Sequence, residues 1–390
     1  MESVLQGVQG YMYPNEVELQ WGVLIVLYPF VTGLVAGAFI LASLERVFNV
    51  EAVKPTYRLA LLTALAFLLA APLPLQMHLG HPERSYEMYL TPHTTSAMAM
   101  FGFVYLWYLL VVLLLEIWLD YRPDIVRLAR ESRGAVRFVY RALTLGSYEL
   151  SERSLALDAK IGRILTIIGI PSAFLLHGYV GFIFGSIKAN PWWSTPLMPV
   201  VFLFSAIVSG IATVLLLYMT ITWLKGPGPN TACVDTIGRY LLYAFIIDFG
   251  LEMLDLIHRI YESDESFKSL DFMVHTRLYT SQVIVQIVVG TLFPIGLLAL
   301  VQLVRLSDAA RKGIYAVAGA LTLVGIFAMR WNVVIGGQLF SKSFLGYTSY
   351  KMEFATREGM LPAILLLLLP FGILWVLVKL LPPWADEEAA

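Results

Sequence analysis

Residues 197–224 read LMPVVFLFSAIVSGIATVLLLYMTITWL, a run without one charged side chain. About 20 apolar residues in a helix cross the ~30 Å hydrocarbon core of a bilayer. This run is longer than that. It is also too continuous for a barrel strand, which alternates over about ten residues. It therefore predicts a membrane-spanning helix. Similar runs flank it at 21–45, 57–77, 97–120, 161–187, 236–260, 279–305, 311–334 and 359–381. The expected fold is an all-α polytopic membrane protein with about nine transmembrane helices.

Composition agrees. Of 390 residues, 58% are hydrophobic and 14% charged, against about 25% charged in a soluble domain. The mean hydropathy is +0.73. A soluble fold has no way to hide so much apolar surface, and disorder needs the opposite composition. The net charge of −1 excludes a nucleic-acid binder. One cysteine, Cys233, excludes disulfides, thiolate zinc and a resident iron–sulfur cluster. The first twenty residues carry Glu2, Glu16 and Glu18 but no Lys or Arg, so no secretory signal is expected there.

Basic residues set the orientation. Arg46, Lys54 and Arg58, the 121–160 segment, Lys225, Arg239, Arg305, Arg311, Lys312 and Lys379 all fall on one side if the N-terminus is outside. A tenth span would have to be that basic segment, where Arg127, Arg130, Arg133, Arg137 and Arg141 recur every three or four residues. Each would add about 2.5–3.5 kcal/mol at a helix centre, so an amphipathic helix on the cytoplasmic face is expected instead. Residues 1–390 then form a single membrane domain of the cell membrane. It divides into a four-helix bundle over 21–187, a second over 197–334, and a peripheral helix over 359–381. The small residues around Thr32-Gly33 and Ser209-Gly210 suit close helix packing in lipid.

Ionisable residues inside spans mark function by default. The sixth span, YLLYAFIIDFGLEMLDLIHRIY, places Asp248, Glu252, Asp255 and Arg259 on one helical face. Carboxylates one turn apart suit a proton relay, which His177 on the fourth span would join. The plainer alternative is that Glu252 and Asp255 only balance Arg259 or Arg330. A bis-histidine haem b would have to use His177 and His258, and haem is not the expected cofactor. Glu45 and Glu116 are expected at the inner interface.

The outer connections concentrate polar groups. QMHLGHPERSYEMYLTPHTTSAMAMFG holds His78, His81, Arg84 and His93, and MRWNVVIGGQLFSKS holds Arg330, Asn332 and Gln338. Gln282, Gln286 and Tyr179 lie at a similar depth. Aromatic belts explain Trp192 and Trp193 without any ligand. Clustered donors beneath an apolar face suit a flat molecule with carbonyls and a lipid tail, such as a quinone. The quinone-binding candidates are His78, Arg84, His93, Tyr179, Arg330, Asn332 and Gln338.

The GLVAGAF run of the first span, LGHPERSYEMYLTPHTTSAMAMFG and NPWWSTPLMPVVFLFSAIVSG together resemble the NrfD/PsrC family of quinone-interacting membrane subunits. The ending RWNVVIGGQLFSKS is similar to its longer branch, which includes sulfite-reductase-associated subunits. The resemblance implies two four-helix bundles, a menaquinone site near the outer surface, and a ferredoxin-like iron–sulfur partner above it with further redox subunits. His78 and Arg84 fall where the family places polar residues beside the quinone. Shorter members carry an Asn and a His before the first span, where this chain has Glu16, Glu18 and Gln20. The expected function is electron exchange between menaquinol and that partner, with coupled proton translocation, in sulfur metabolism. A secondary transporter using the acidic face and a purely structural anchor are the competing readings.

Overall fold

The computed structural model describes residues 7–384, except 92, 94, 227 and 263–265 and the side chains of 97–99, 259 and 262. Among the described residues, eight helices are long and apolar enough to cross a membrane. In chain order with the sixth span they are α1 (Val23–Arg46), α2 (Glu51–His78), α3 (Met100–Glu131), α4 (Glu152–Gly185), α5 (Met198–Lys225), α6 (Thr231–Glu262), α7 (Tyr279–Leu303), α8 (Asp308–Gln338) and α9 (Met360–Leu380). The helix α6 is long enough to span, and its ionisable residues alone set it apart. The chain is thus an all-α, multi-pass membrane protein.

The centre is α1, almost wholly buried, packed on α2, α4, α5 and α8. Glycine makes this approach close. A Cβ at Gly37 would fall 2.7 Å from the Gly210 Cα, so α1 and α5 cross backbone against backbone. The small-residue stripes of α1 and α5 thus pack on each other, one turn further in on α1 than Gly33. A similar crossing joins α7 and α8, where a Cβ at Gly290 would collide with Gly325. Interhelical packing of this kind replaces the missing hydrophobic drive in lipid. Helix α9 packs mainly on α2.

On the inner side the structure corrects two expectations. Helix α3 runs on to Glu131, so Arg127 and Arg130 extend the span, and only Gly134–Leu143 is a separate surface helix. That helix exposes Val136, Phe138 and Val139 between its arginines, as an interfacial amphipathic helix does. Arg122 is buried, donating to Asp158, Ser147, Ser154 and the Glu149 carbonyl, which ties α3 to the start of α4. Glu116 lies inside the protein at 1% exposure, accepting from Thr166 at 2.7 Å and Tyr57 at 3.3 Å. Glu116 thus ties α3 to α2 and α4 from within the protein.

The outer side is closed by the 335–358 segment folding back on the N-terminus. Gln9–Gly10 pairs antiparallel with Gly346–Tyr347. Glu16 accepts from the Ser341 hydroxyl at 2.5 Å, and the Val23 amide donates to the Tyr350 hydroxyl at 3.1 Å, capping α1.

Candidate functional site

Two cavities open near the outer ends of the helices, one on each side of the α1–α5 seam. The first, of ≈ 380 Å³, is walled by α1–α4 and the 78–90 connection. Its walls are aromatic and aliphatic, including Trp21, Tyr28, Phe101 and Tyr105, and His78 and Arg84 stand at its polar end. His78 meets Glu358 through Nδ1 at 2.9 Å, a contact that fixes the ring. Arg84 pairs with Glu87 at 3.0 Å. Tyr28 is 4% exposed, and its hydroxyl has no hydrogen-bond partner among the described residues. A buried hydroxyl left unpaired is costly, so it marks a position where a ligand acceptor fits.

Between the cavities lies a buried polar hub. Arg330 is fully buried and donates to the Ser205 hydroxyl at 2.7 Å, to the Phe202 carbonyl at 3.4 Å and to His177 Nε2 at 3.1 Å. Its guanidinium also lies 4.0 Å from the Phe202 ring centroid, a cation–π contact. An arginine has no lone pair to offer, so His177 must accept through Nε2 and hold its proton on Nδ1. That Nδ1 faces the Thr32 hydroxyl at 3.4 Å, which donates to the Tyr28 carbonyl at 2.9 Å. His177 is therefore a neutral imidazole clamped between α1 and α8. With Nε2 engaged, and with His258 exposed on α6, the two histidines are not arranged as paired axial ligands.

The second cavity, of ≈ 370 Å³, is walled by α5–α8 and the outer helix Phe267–Thr276. Glu252 and Asp255 line it. Asp255 accepts from Thr195 at 2.5 Å, and Glu252 accepts from Gln286 at 3.4 Å. Asp248, one turn deeper, is 2% exposed with Oδ1 unpartnered among the described residues. Arg330 lies within electrostatic reach of both Asp248 and Glu252.

The candidates read from sequence therefore separate. His78 and Arg84 line the first cavity, and Tyr179 stacks on its Phe101 wall with ring centroids 6.1 Å apart. Asn332, Glu252 and Asp255 line the second. His177, Arg330 and Asp248 form the buried centre. His93 is exposed, and its imidazole Nδ1 meets the Thr95 hydroxyl at 3.0 Å. Gln338 binds the Trp21 backbone in both directions at 3.0 Å, closing the entry to α1. The seven residues expected to hold a quinone, from the 78–93 connection, α4 and α8, thus do not line one cavity. The side chain of Arg259 lies outside the described residues. Sequence reasoning missed Tyr28, whose only signal is a hydroxyl inside an apolar run. It also missed Glu358, which lies far along the chain from His78.

The helices and the polar groups buried among them define a multi-pass membrane protein. The family described as "Polysulphide reductase, NrfD" matches residues 13–342. The chain belongs to this family. It is 30% identical to a selenate reductase subunit of Mesobacillus selenatarsenatis, covering 81% of this chain and 73% of that protein. It is 31% identical to a putative dimethyl sulfoxide reductase membrane subunit of Halobacterium salinarum, over 50% of this chain and 42% of that one. Protein NrfD of Escherichia coli is 29% identical over 55% of this chain and 64% of its own length. Membership thus places the chain among the membrane subunits associated with reductase complexes.

Proposed function

We propose that this subunit exchanges electrons between menaquinone and an iron–sulfur partner on the outer face, and that the cavity beside Tyr28 holds the quinone. The observation that carries this reading is the Tyr28 hydroxyl, without a partner among the described residues and buried in an apolar cavity with His78 and Arg84 at its polar end. Apolar walls accept the ring and its tail, and the few donors fix a carbonyl. Tyr28, His78 and Arg84 would hold the head group. When bound, a quinol supplies electrons together with the protons of its hydroxyls.

His78 is placed to take such a proton, and Glu358, 40% exposed, to pass it to the outer solution. The cluster receiving the electrons must sit on the partner, since a single cysteine cannot hold one. Asp248, Glu252 and Asp255 form the relay for coupled proton movement on the far side of the seam, with Arg330 and His177 linking the two halves. The likeness of the α8 ending to the branch that includes sulfite-reductase-associated subunits supports sulfite or sulfur metabolism as the setting. The transporter and anchor readings leave the Tyr28 cavity without a purpose.

Titration of the purified chain with menadione tests the proposal. Tyr28→Phe is expected to weaken binding about threefold to tenfold, the worth of one hydrogen bond, while the ligand-free protein unfolds at a higher temperature because the unpaired hydroxyl is gone. Unaltered binding in that variant would remove Tyr28 from the site.

A further inference from the structure

The second cavity offers a ligand hydrogen-bond acceptors. Gln286 uses its amide N–H to donate to Glu252, so its carbonyl oxygen is left to accept. It does so from the Asn332 amide at 2.8 Å. That fixes the Asn332 side chain with Nδ2 engaged and Oδ1 directed elsewhere. Asn332 is 2% exposed, lines the cavity, and its Oδ1 has no partner among the described residues. Gln282, also on the cavity wall, has its buried Oε1 in the same condition. Two residues of one largely apolar cavity wall thus each carry an acceptor unmet among the described residues.

We propose that this cavity is a second binding site, for an uncharged amphipathic molecule whose head group donates hydrogen bonds. A dihydroxynaphthalene, the reduced form of a membrane naphthoquinone, has that chemistry. Its hydroxyls would meet Asn332 Oδ1 and Gln282 Oε1, which a quinone carbonyl has no means to satisfy. The glycerol head of an anionic phospholipid also offers hydroxyls. Its phosphate would lie beside Glu252, Asp255 and Asp271 on the cavity wall, and like charges at close range oppose it. The apolar body is accommodated at the rim, where Leu256 and Ile260 are 45% and 51% exposed on the flank of α6.

The first cavity, where the Tyr28 hydroxyl can donate or accept, then suits either redox form, and the second favours the donor-bearing reduced one. This rests on its own lining residues, although its physiological sense follows from the quinone reading above. The test is anaerobic equilibrium dialysis of the full chain in phosphatidylcholine nanodiscs against menadiol and, separately, menadione. Menadiol is expected at two sites. Gln282→Leu, which leaves the Glu252–Gln286–Asn332 chain intact, should weaken one of them about threefold to tenfold. Tyr28→Phe should weaken only the other. Menadione should fill the Gln282-sensitive site at least several-fold more weakly than menadiol. Identical menadiol isotherms for wild type and Gln282→Leu would overturn the proposal. So would displacement of menadiol from that site by phosphatidylglycerol, which would make it a lipid site. A Gln282-sensitive site without a Tyr28-sensitive one would support this site while contradicting the quinone reading of the first cavity.

Discussion

Arg330 donates to His177 Nε2 at 3.1 Å, with both side chains fully buried between helices that carry the two cavities. One bond thereby fixes the tautomer of a histidine on α4 and anchors a cation on α8. The same cation lies within electrostatic reach of Asp248 and Glu252 on α6. The two halves of the protein share this one charged centre.

Arg330→Met should destabilise the protein by about 1–3 kcal/mol, since it leaves the buried His177 Nε2 and Ser205 hydroxyl without their donor. Thermal unfolding in detergent of Arg330→Met, Asp248→Asn and the double variant measures that loss and the coupling of Arg330 to Asp248. Strictly additive effects would show that the two side chains do not interact.

The α1–α5 seam makes a steric demand. Gly37→Val should cost about 1–3 kcal/mol by overpacking against Ala206 and Gly210. Gly80→Ala, where a Cβ meets nothing within 4 Å, should stay within about 0.5 kcal/mol of wild type. Paired melting curves settle the comparison.

Glu358→Gln keeps the shape beside His78 and removes the carboxylate that orients it. Quinol oxidation in the assembled complex should slow about tenfold, while menadione affinity in the isolated chain stays close to wild type. Loss of affinity with unchanged turnover would make Glu358 a binding residue instead of a proton carrier.

Glu252→Gln should slow turnover coupled to proton movement without weakening binding at the Tyr28 cavity, because the α1–α5 seam separates the two. Stopped-flow turnover and menadione titration of the same variant give both readings. A fall in affinity at the Tyr28 cavity would show that the two cavities are one site.

Much of this is legible in the sequence, for identifiable reasons. Long apolar runs declare spans, because the bilayer imposes their length. The row from Asp248 to Asp255 stands out because charge in lipid is rare. Even α6, too charged for the hydropathy of its neighbours, is readable as a span. What stays hidden depends on how helices dock. His78 and Asn332 share a depth but lie on opposite sides of the Gly37–Gly210 crossing, and depth alone does not reveal that. Tyr28 looks like one more aromatic in an apolar helix until its hydroxyl is found without a partner among the described residues. Glu116 reads as interfacial because the charges after it hide the continuation of α3. The His78–Glu358 pair joins distant segments through the folded outer loop, which no local pattern announces.

The most direct test is photolabelling of the full chain with an azido-naphthoquinone, followed by mapping of the modified peptides. Labelling concentrated on the segments around Tyr28 and around 72–90, and competed away by menadione, is the expected result. Labelling confined to α6 and α7, or none that menadione displaces, would contradict a quinone site at the Tyr28 cavity.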